Sequence, residues 1–158
     1  KRFMETVKRL EPSRVIDLYA GAGLFGCAAA ACGVSDILAV ESDAAAAEAA
    51  RFNLARRTAN ARVAAGDAGD ALKELGREDA AHTLLIVDPP RNGLAFAAMQ
   101  ALTRSTLGQL VYVSCNPATW TRDAIRLGKG GFRLRRLELV NMFPRTEHFE
   151  LFSEWVRD

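Results

Sequence analysis

Cys115 closes the apolar run QLVYVS and is followed by Asn116 and Pro117, residue types that suit a helix N-cap and a first helical position. A thiol beside a helix N-terminus feels the partial positive charge there, which favours thiolate, the species that attacks electrophilic carbon. The bland reading of such a cysteine is a small strand-end residue, and it is the one that fits Cys27 and Cys32 in the Ala-rich stretch GCAAAACG. Glu150 ends the segment NMFPRTEHFE, sharing a strand face with His148. A carboxylate carried back toward a thiol from a distant segment can act as a general base, although alone it would more often be an edge-strand charge. Between them lies Asp88-Pro89-Pro90-Arg91-Asn92-Gly93-Leu94, a loop that two prolines stiffen. There Asp88 can accept from the edge of a base and Arg91 can bind a phosphate or pair with a neighbouring carboxylate; with Asn116 they are the candidate substrate contacts.

A second group of residues has the pattern of a nucleotide site. IDLYAGAGLFG ends a strand, turns on Gly21, Gly23 and Gly26, and enters a helix at Leu24. Glycines there permit a tight turn and close approach of the backbone to a ligand. Glu41 stands 20 residues after Gly21 at the end of the next apolar run, where a carboxylate can hold two ribose hydroxyls. The GxGxxG signal is weak by itself, and a nicotinamide-dependent oxidoreductase would carry it too. Asp17 decides between them, because a carboxylate at the end of the first strand would repel a dinucleotide's pyrophosphate and attract a cation. S-adenosylmethionine has a sulfonium and an amino group and no phosphate, so it is the expected cofactor. Tyr19 belongs to the same turn, and Asp67, in GDA, is placed either to accept from the adenine amino group or to cap the helix after it.

Composition excludes more than it identifies. The 158 residues are 49% hydrophobic and 25% charged, ordinary for one globular domain spanning 1–158. No apolar run is long enough to span a membrane and no secretory signal is visible, which makes a cytoplasmic location the expectation. Three cysteines without a CxxC pair argue against a disulfide framework or a metal site, and a net charge of +2 is too balanced to announce a nucleic-acid partner.

Apolar runs at 14–19, 36–41, 61–65, 83–88, 109–114, 132–140 and 148–155 read as strands, the first, second, fourth and fifth as interior ones. Helical stretches at 3–10, 24–32, 43–57, 71–75, 95–103 and 117–127 alternate with them. The last two strands follow each other without a helix, which permits an antiparallel hairpin at one edge. The fold class is therefore α/β: a Rossmann-like, seven-stranded, mostly parallel sheet with a carboxyl-terminal antiparallel hairpin and helices on both faces.

DLYAGAGLFG, VESD, GDA, DPPRNGL, YVSCNPATWTRD and NMFPRTEHFE, in that order, resemble the S-adenosylmethionine-dependent RNA uracil-C5 methyltransferases over nearly the whole chain. The resemblance implies the class I methyltransferase fold, a nucleophile at Cys115, a base at Glu150, and a substrate or cofactor contact at Asp88. It puts cofactor contacts on Tyr19, the glycine turn through Leu24, Glu41 and Asp67. The substrate it implies is a uridine in tRNA or rRNA, with Arg91, Arg122, Arg126, Arg133, Arg135, Arg136 and Arg145 as candidate RNA contacts. Members of the family carry an amino-terminal RNA-binding domain, so the chain is expected to be the catalytic domain alone. A methyltransferase acting on another base, or a non-catalytic module binding S-adenosylmethionine or RNA, are the competing expectations.

Overall fold

The computed structural model describes residues 1–74, 80, 82–141 and 149–157. Its strands are β1 (Arg14–Leu18), β2 (Asp36–Glu41), β3 (Ala61–Ala65), β4 (Thr83–Val87), β5 (Gln109–Ser114), β6 (Arg133–Val140) and β7 (Glu150–Val156). The helices are α1 (Arg2–Leu10), α2 (Leu24–Ala31), α3 (Ala44–Ala55), α4 (Ala68–Glu74), α5 (Phe96–Arg104) and α6 (Pro117–Lys129). The strands form one sheet in the order β3-β2-β1-β4-β5-β7-β6. β1 to β5 are parallel, and β7 runs antiparallel between β5 and β6. This is the α/β architecture expected from the alternation of runs. The element boundaries agree closely, except that α4 begins three residues before the stretch expected at 71–75. β7 is also as buried as the central strands, because the hairpin folds in rather than out and leaves β6 at the edge.

Continuous apolar runs work here because both faces of the sheet are covered. Ile16, Leu18, Leu85 and Tyr112 point to one layer, with Leu72 of α4, Met99 and Leu102 of α5, and Leu127 of α6. Val15, Ile37, Ile86 and Val111 point to the other, with Phe3 and Val7 of α1, Ala29 of α2 and Leu54 of α3. The Ala-rich α3 is capped by Asp43, whose side chain accepts from Ala46 N at 2.8 Å. Small residues let α2 and α3 lie close: a Cβ on Gly26 would stand 3.1 Å from a Leu54 methyl.

The order reverses at β1, whose neighbours are β2 on one side and β4 on the other. Chains leaving such a pair diverge to opposite faces and open a crevice at the carboxyl ends of the strands. Asp17, Glu41, Asp88 and Cys115 all come from strand ends at this edge, and the antiparallel β7 brings Glu150 to it from the other direction.

Candidate active site

Two halves meet at the carboxyl edge. The first is built on β1 and β2. Asp17 is fully buried; its Oδ2 accepts from Gly26 N at 2.9 Å, while Oδ1 has no partner among the described residues. Burial pushes its carboxyl up to about 7, against an opposing hydrogen bond from Gly26, and the charges of Asp88 and Glu41 push in the same direction as burial. After it, Tyr19 takes φ 62 and Gly21 and Gly23 take φ 52 and 84, so the chain turns sharply into α2. A Cβ on Gly21 would meet nothing within 4 Å, so the space above the turn is open and glycine is needed there for its backbone angle. Leu24 opens α2 with its side chain exposed. Burial raises the Tyr19 hydroxyl, against a hydrogen bond from the Ala95 backbone.

Glu41 grips this turn. Its Oε2 accepts from Gly21 N and its Oε1 from Asp43 N, both at 2.8 Å. Oε1 also accepts from the Ser42 hydroxyl at 3.3 Å, and Oε2 retains a lone pair for a further donor. Asp67, exposed, accepts from Gly69 N at 2.7 Å, so of the two readings of this residue the cap is the one seen among its own chain's groups.

The second half joins the loop after β4 to the start of α6. Asn116 caps α6 by accepting from Ala118 N at 3.0 Å, with Pro117 at the first helical position. Its amide and the Thr119 hydroxyl both donate to the carbonyl of Arg91 at 3.1 Å. Arg91 is exposed, and its side chain makes no ion pair among the described residues. Cys115 is exposed, with its thiol free, between the buried Ser114 and this cap.

A buried carboxylate that sequence reasoning passed over holds these pieces. Asp123 accepts from Leu94 N at 2.8 Å and from the Tyr112 hydroxyl at 2.9 Å on one oxygen, and from Arg122 at 2.9 Å on the other. Burial and the Asp123 charge raise the Tyr112 hydroxyl well above its ordinary value, so it stays a donor. The signal was legible: Asp123 stands four residues before Leu127, on the apolar face of α6 where a charge is out of pattern. Ser153 was also missed. Its hydroxyl donates to Tyr112 O and accepts from the indoles of Trp120 and Trp155, all at 3.0 Å, which locks α6 onto β7.

That lock fixes the strand that carries Glu150 against the strand that ends at Cys115. β5 and β7 pair as far as Ser114 opposite Leu151, so Cys115 and Glu150 each stand one residue beyond that pair, at the same end of the two strands. Burial raises the Glu150 carboxyl. Asp88 is reached by water, yet the surrounding strand ends crowd it, and burial followed by the Glu150 charge pushes it up to about 6. His148 and Arg145 lie outside the described residues. Arg136 is committed elsewhere, to Glu138 and to Glu154 under α1. Among the described residues no cluster of His, Cys, Asp or Glu could hold a metal, and no helix is long and apolar enough to cross a membrane.

Two predictions arise directly. Gly93 has φ 74, and a Cβ on it would press on Asp123 Oδ2 and lie 2.6 Å from the Arg122 guanidinium. Gly93→Ala is expected to destabilise the chain by about 2–3 kcal/mol, read from urea unfolding. A change below about 0.5 kcal/mol would mean that the loop is not pinned on Asp123.

Asp17 is expected to weaken the fold as pH rises. Its native value of about 7 lies above the ordinary 3.8, so the native state holds the proton more tightly and stability falls as pH climbs between the two. Asp17→Asn keeps an acceptor for Gly26 N and removes the charge. It is expected to gain about 2–4 kcal/mol at pH 8, and the gain should vanish near pH 4. Thermal unfolding at both pH values checks it, and a loss of stability at pH 8 would contradict it.

Comparison with known proteins agrees with this geometry. The family model of the tRNA (uracil-5-)-methyltransferases matches residues 3–153. The chain is 40% identical over 141 residues to the 23S rRNA (uracil(1939)-C(5))-methyltransferase RlmD of Pseudomonas aeruginosa, covering 89% of this chain and 31% of that protein. It is 42% identical to the RlmD of Chromohalobacter salexigens, covering 92% of this chain and 30% of that one. It thus spans about a third of the length of these relatives. Among solved structures, the tRNA (uracil-54, C5)-methyltransferase of Pyrococcus abyssi in complex with S-adenosyl-L-homocysteine superposes with a TM-score of 0.83 at 31% identity. That match covers 98% of this chain and 37% of that one. A seven-stranded sheet of this order, its acidic strand ends, and a family match running almost from end to end agree: the chain belongs to the tRNA (uracil-5-)-methyltransferase family.

Proposed function

We propose that this chain is the catalytic domain of an RNA uracil-C5 methyltransferase that uses S-adenosylmethionine and works through a covalent bond between Cys115 and its substrate. The observation that carries the reading is the placement of an exposed cysteine just past the end of β5 and of Glu150 at the start of the neighbouring antiparallel β7, with Asp88 close enough to feel the Glu150 charge. Uracil C5 is a poor nucleophile until C6 is saturated, so a C5 methyltransferase needs an enzyme nucleophile as well as a base, whereas an enzyme methylating an amine needs no covalent step.

The residues of the first half fit the cofactor. The unpartnered, buried Asp17 Oδ1 and the acidic ends of β2 and β4 favour a cation, and the open space above Gly21 admits a ligand close to the backbone. S-adenosylmethionine, when bound, supplies an electrophilic methyl group on its sulfonium. Asp17 would face its cationic end, Glu41 the ribose, Tyr19 and Leu24 the walls of the site, and Asp67 the adenine amino group.

In the second half, Cys115 Sγ forms a bond to C6 and moves the C5=C6 electron pair onto C5. Asp88, held near its titration point, orients the polar edge of the base, and the exposed Arg91 and Asn116 flank it. Once C5 carries the methyl group, Glu150 takes the C5 proton. The electron pair of that C–H bond restores C5=C6 and expels the Cys115 thiolate. Because the target uridine lies in folded RNA, it must swing out of its stack to reach this edge.

The test is to incubate the chain with S-adenosylmethionine and an RNA whose uridines are replaced by 5-fluorouridine, and to map adducts by mass spectrometry. Fluorine cannot leave as a proton, so the expected product is a methylated base trapped on Cys115. Binding of S-adenosylmethionine and turnover of ordinary RNA without any adduct on Cys115 would overturn the mechanism. A product other than 5-methyluridine would overturn the substrate position.

A further inference from the structure

We infer that the outer face of α5 and α6 is a docking track for the substrate's RNA strand, with Phe96 as a stacking platform and Arg91, Arg122, Arg126 and Lys129 facing phosphates. The inference rests on the RNA-methyltransferase reading and names the surface that grips the strand next to the target base.

Three observations carry it. Charge is segregated: α5 and α6 together hold Arg104, Arg122, Arg126 and Lys129 against the single acid Asp123, whereas the whole chain is only +2. Arg122, Arg126 and Lys129 are spaced four and three residues apart, on one side of α6. Asp123 is fully buried and shared by two of these arginines, at 2.9 Å and 3.5 Å, so it aligns them while neutralising only part of their charge. Nothing in the described chain pairs with Lys129 or with the Arg91 side chain.

Second, a groove of about 410 Å³ runs between the helices, with Phe96, Met99, Gln100 and Thr103 on one side and Arg126 and Lys129 on the other. A ring and a cation across a shallow groove match a nucleic-acid strand, whose bases stack on aromatic rings while its phosphates meet basic side chains. Phe96 is 72% exposed at the first position of α5, where its ring lines the groove.

Third, the track is rigidly tied to the reacting edge. Phe96 follows Leu94, whose amide is held by Asp123, and Arg122 also donates to Asn92 O at 2.8 Å. At about 1.5 Å per residue, Arg122 lies about 10 Å along α6 from Cys115 and Lys129 about 20 Å. A strand leaving the Cys115 edge would therefore cross Phe96 and follow the basic residues down the helix.

The experiment is fluorescence anisotropy of a labelled single-stranded RNA across a salt series. The proteins are the unmodified chain, Lys129→Gln, the double variant Arg126→Gln/Lys129→Gln, Phe96→Ala, and Lys8→Gln on α1 as a control on the opposite layer. The slope of log affinity against log salt should flatten by about 0.7 for Lys129→Gln and about 1.4 for the double variant. Phe96→Ala should bind about tenfold more weakly with an unchanged slope, and Lys8→Gln should behave as the unmodified chain. Thermal unfolding of each variant separates misfolding from lost contacts, and Lys129→Gln, with no partner to lose, remains decisive where the double variant unfolds. Equal slopes in all proteins, an equal loss from Lys8→Gln, or tighter binding of an acidic peptide than of RNA would overturn the track. Nucleoside analysis of methylated RNA judges the enzymatic reading separately: 5-methyluridine formed at parental rates by all variants, with equal slopes, would leave that reading standing and remove this one.

Discussion

Cys115→Ala is expected to reduce methyl transfer to RNA by about 10⁴-fold or more while leaving the fold unchanged. The magnitude follows from the chemistry: without a bond to C6 the C5 carbon has too little electron density to accept a methyl group, and no neighbouring side chain offers another thiol. Cys27 and Cys32 sit on the far side of the glycine turn, in α2 and at its end, and cannot substitute. Stability should not change, since Cys115 is exposed and its thiol makes no hydrogen bond among the described residues that its loss would orphan. The readout is transfer of labelled methyl under single-turnover conditions, together with the thermal midpoint. Cys115→Ser separates two roles: a hydroxyl fills the space but is a far weaker nucleophile at neutral pH, so it too should be nearly inert. Serine turning over at the parental rate would show that this side chain only fills space.

Glu150→Gln is expected to slow the overall reaction by about 10²–10⁴-fold, and to do so at a different point. The amide keeps the shape and the hydrogen-bonding edge of the side chain but cannot take a proton from C5. In the proposed mechanism, attack by Cys115 and methylation of C5 precede that step, so a protein–RNA adduct should accumulate with ordinary RNA and survive denaturing electrophoresis. A variant that is slow but accumulates nothing would mean that Glu150 acts before the bond to C6 forms. The pH dependence gives an independent reading. Glu150 must be ionised to accept the proton, and burial holds its carboxyl above the ordinary value, so the rate should rise with pH through that raised range. Asp88, pushed up to about 6, titrates beside it, so the acid limb belongs to the pair and should change shape in both Glu150→Gln and Asp88→Asn.

These expectations share one structural cause, the insertion of β7 between β5 and β6. A parallel strand at that position would enter the sheet with its amino terminus at the far edge, away from Cys115. The antiparallel direction brings the first residue of β7 to the carboxyl end of β5, and the hydroxyl of Ser153 ties it to β5 and α6. The same carboxyl edge collects Asp17, Glu41, Asp88 and Glu150. Burial first raises the Asp17 and Asp88 carboxyls, the charges of Asp88 and Glu41 add to it at Asp17 and that of Glu150 adds to it at Asp88, and a cation placed among them would relieve the charge part of that cost.

Much of this was written along the chain. Alternating apolar runs and Ala-rich helices specify an α/β sheet because strand and helix periods differ and only buried parallel strands tolerate unbroken Val, Ile and Leu. The glycine turn, the Asn116-Pro117 cap and the acidic strand ends are local chemistry and could be read from neighbours alone. Asp43 and Asn116 cap the helices that their sequence positions imply. What linear order does not contain is which distant segments face one another. That Glu150 and Cys115 come to the same end of neighbouring strands depends on the register of β7 against β5. The role of Asp123 depends on Leu94, Tyr112 and Arg122 converging on one buried carboxylate, and the basic face of α5 and α6 is diluted to near neutrality when charge is summed over the chain. Spacing along the chain governs contacts within a turn or a strand, whereas these arrangements arise from non-local packing, where side chains far apart in sequence are buried against each other and must satisfy one another's hydrogen bonds.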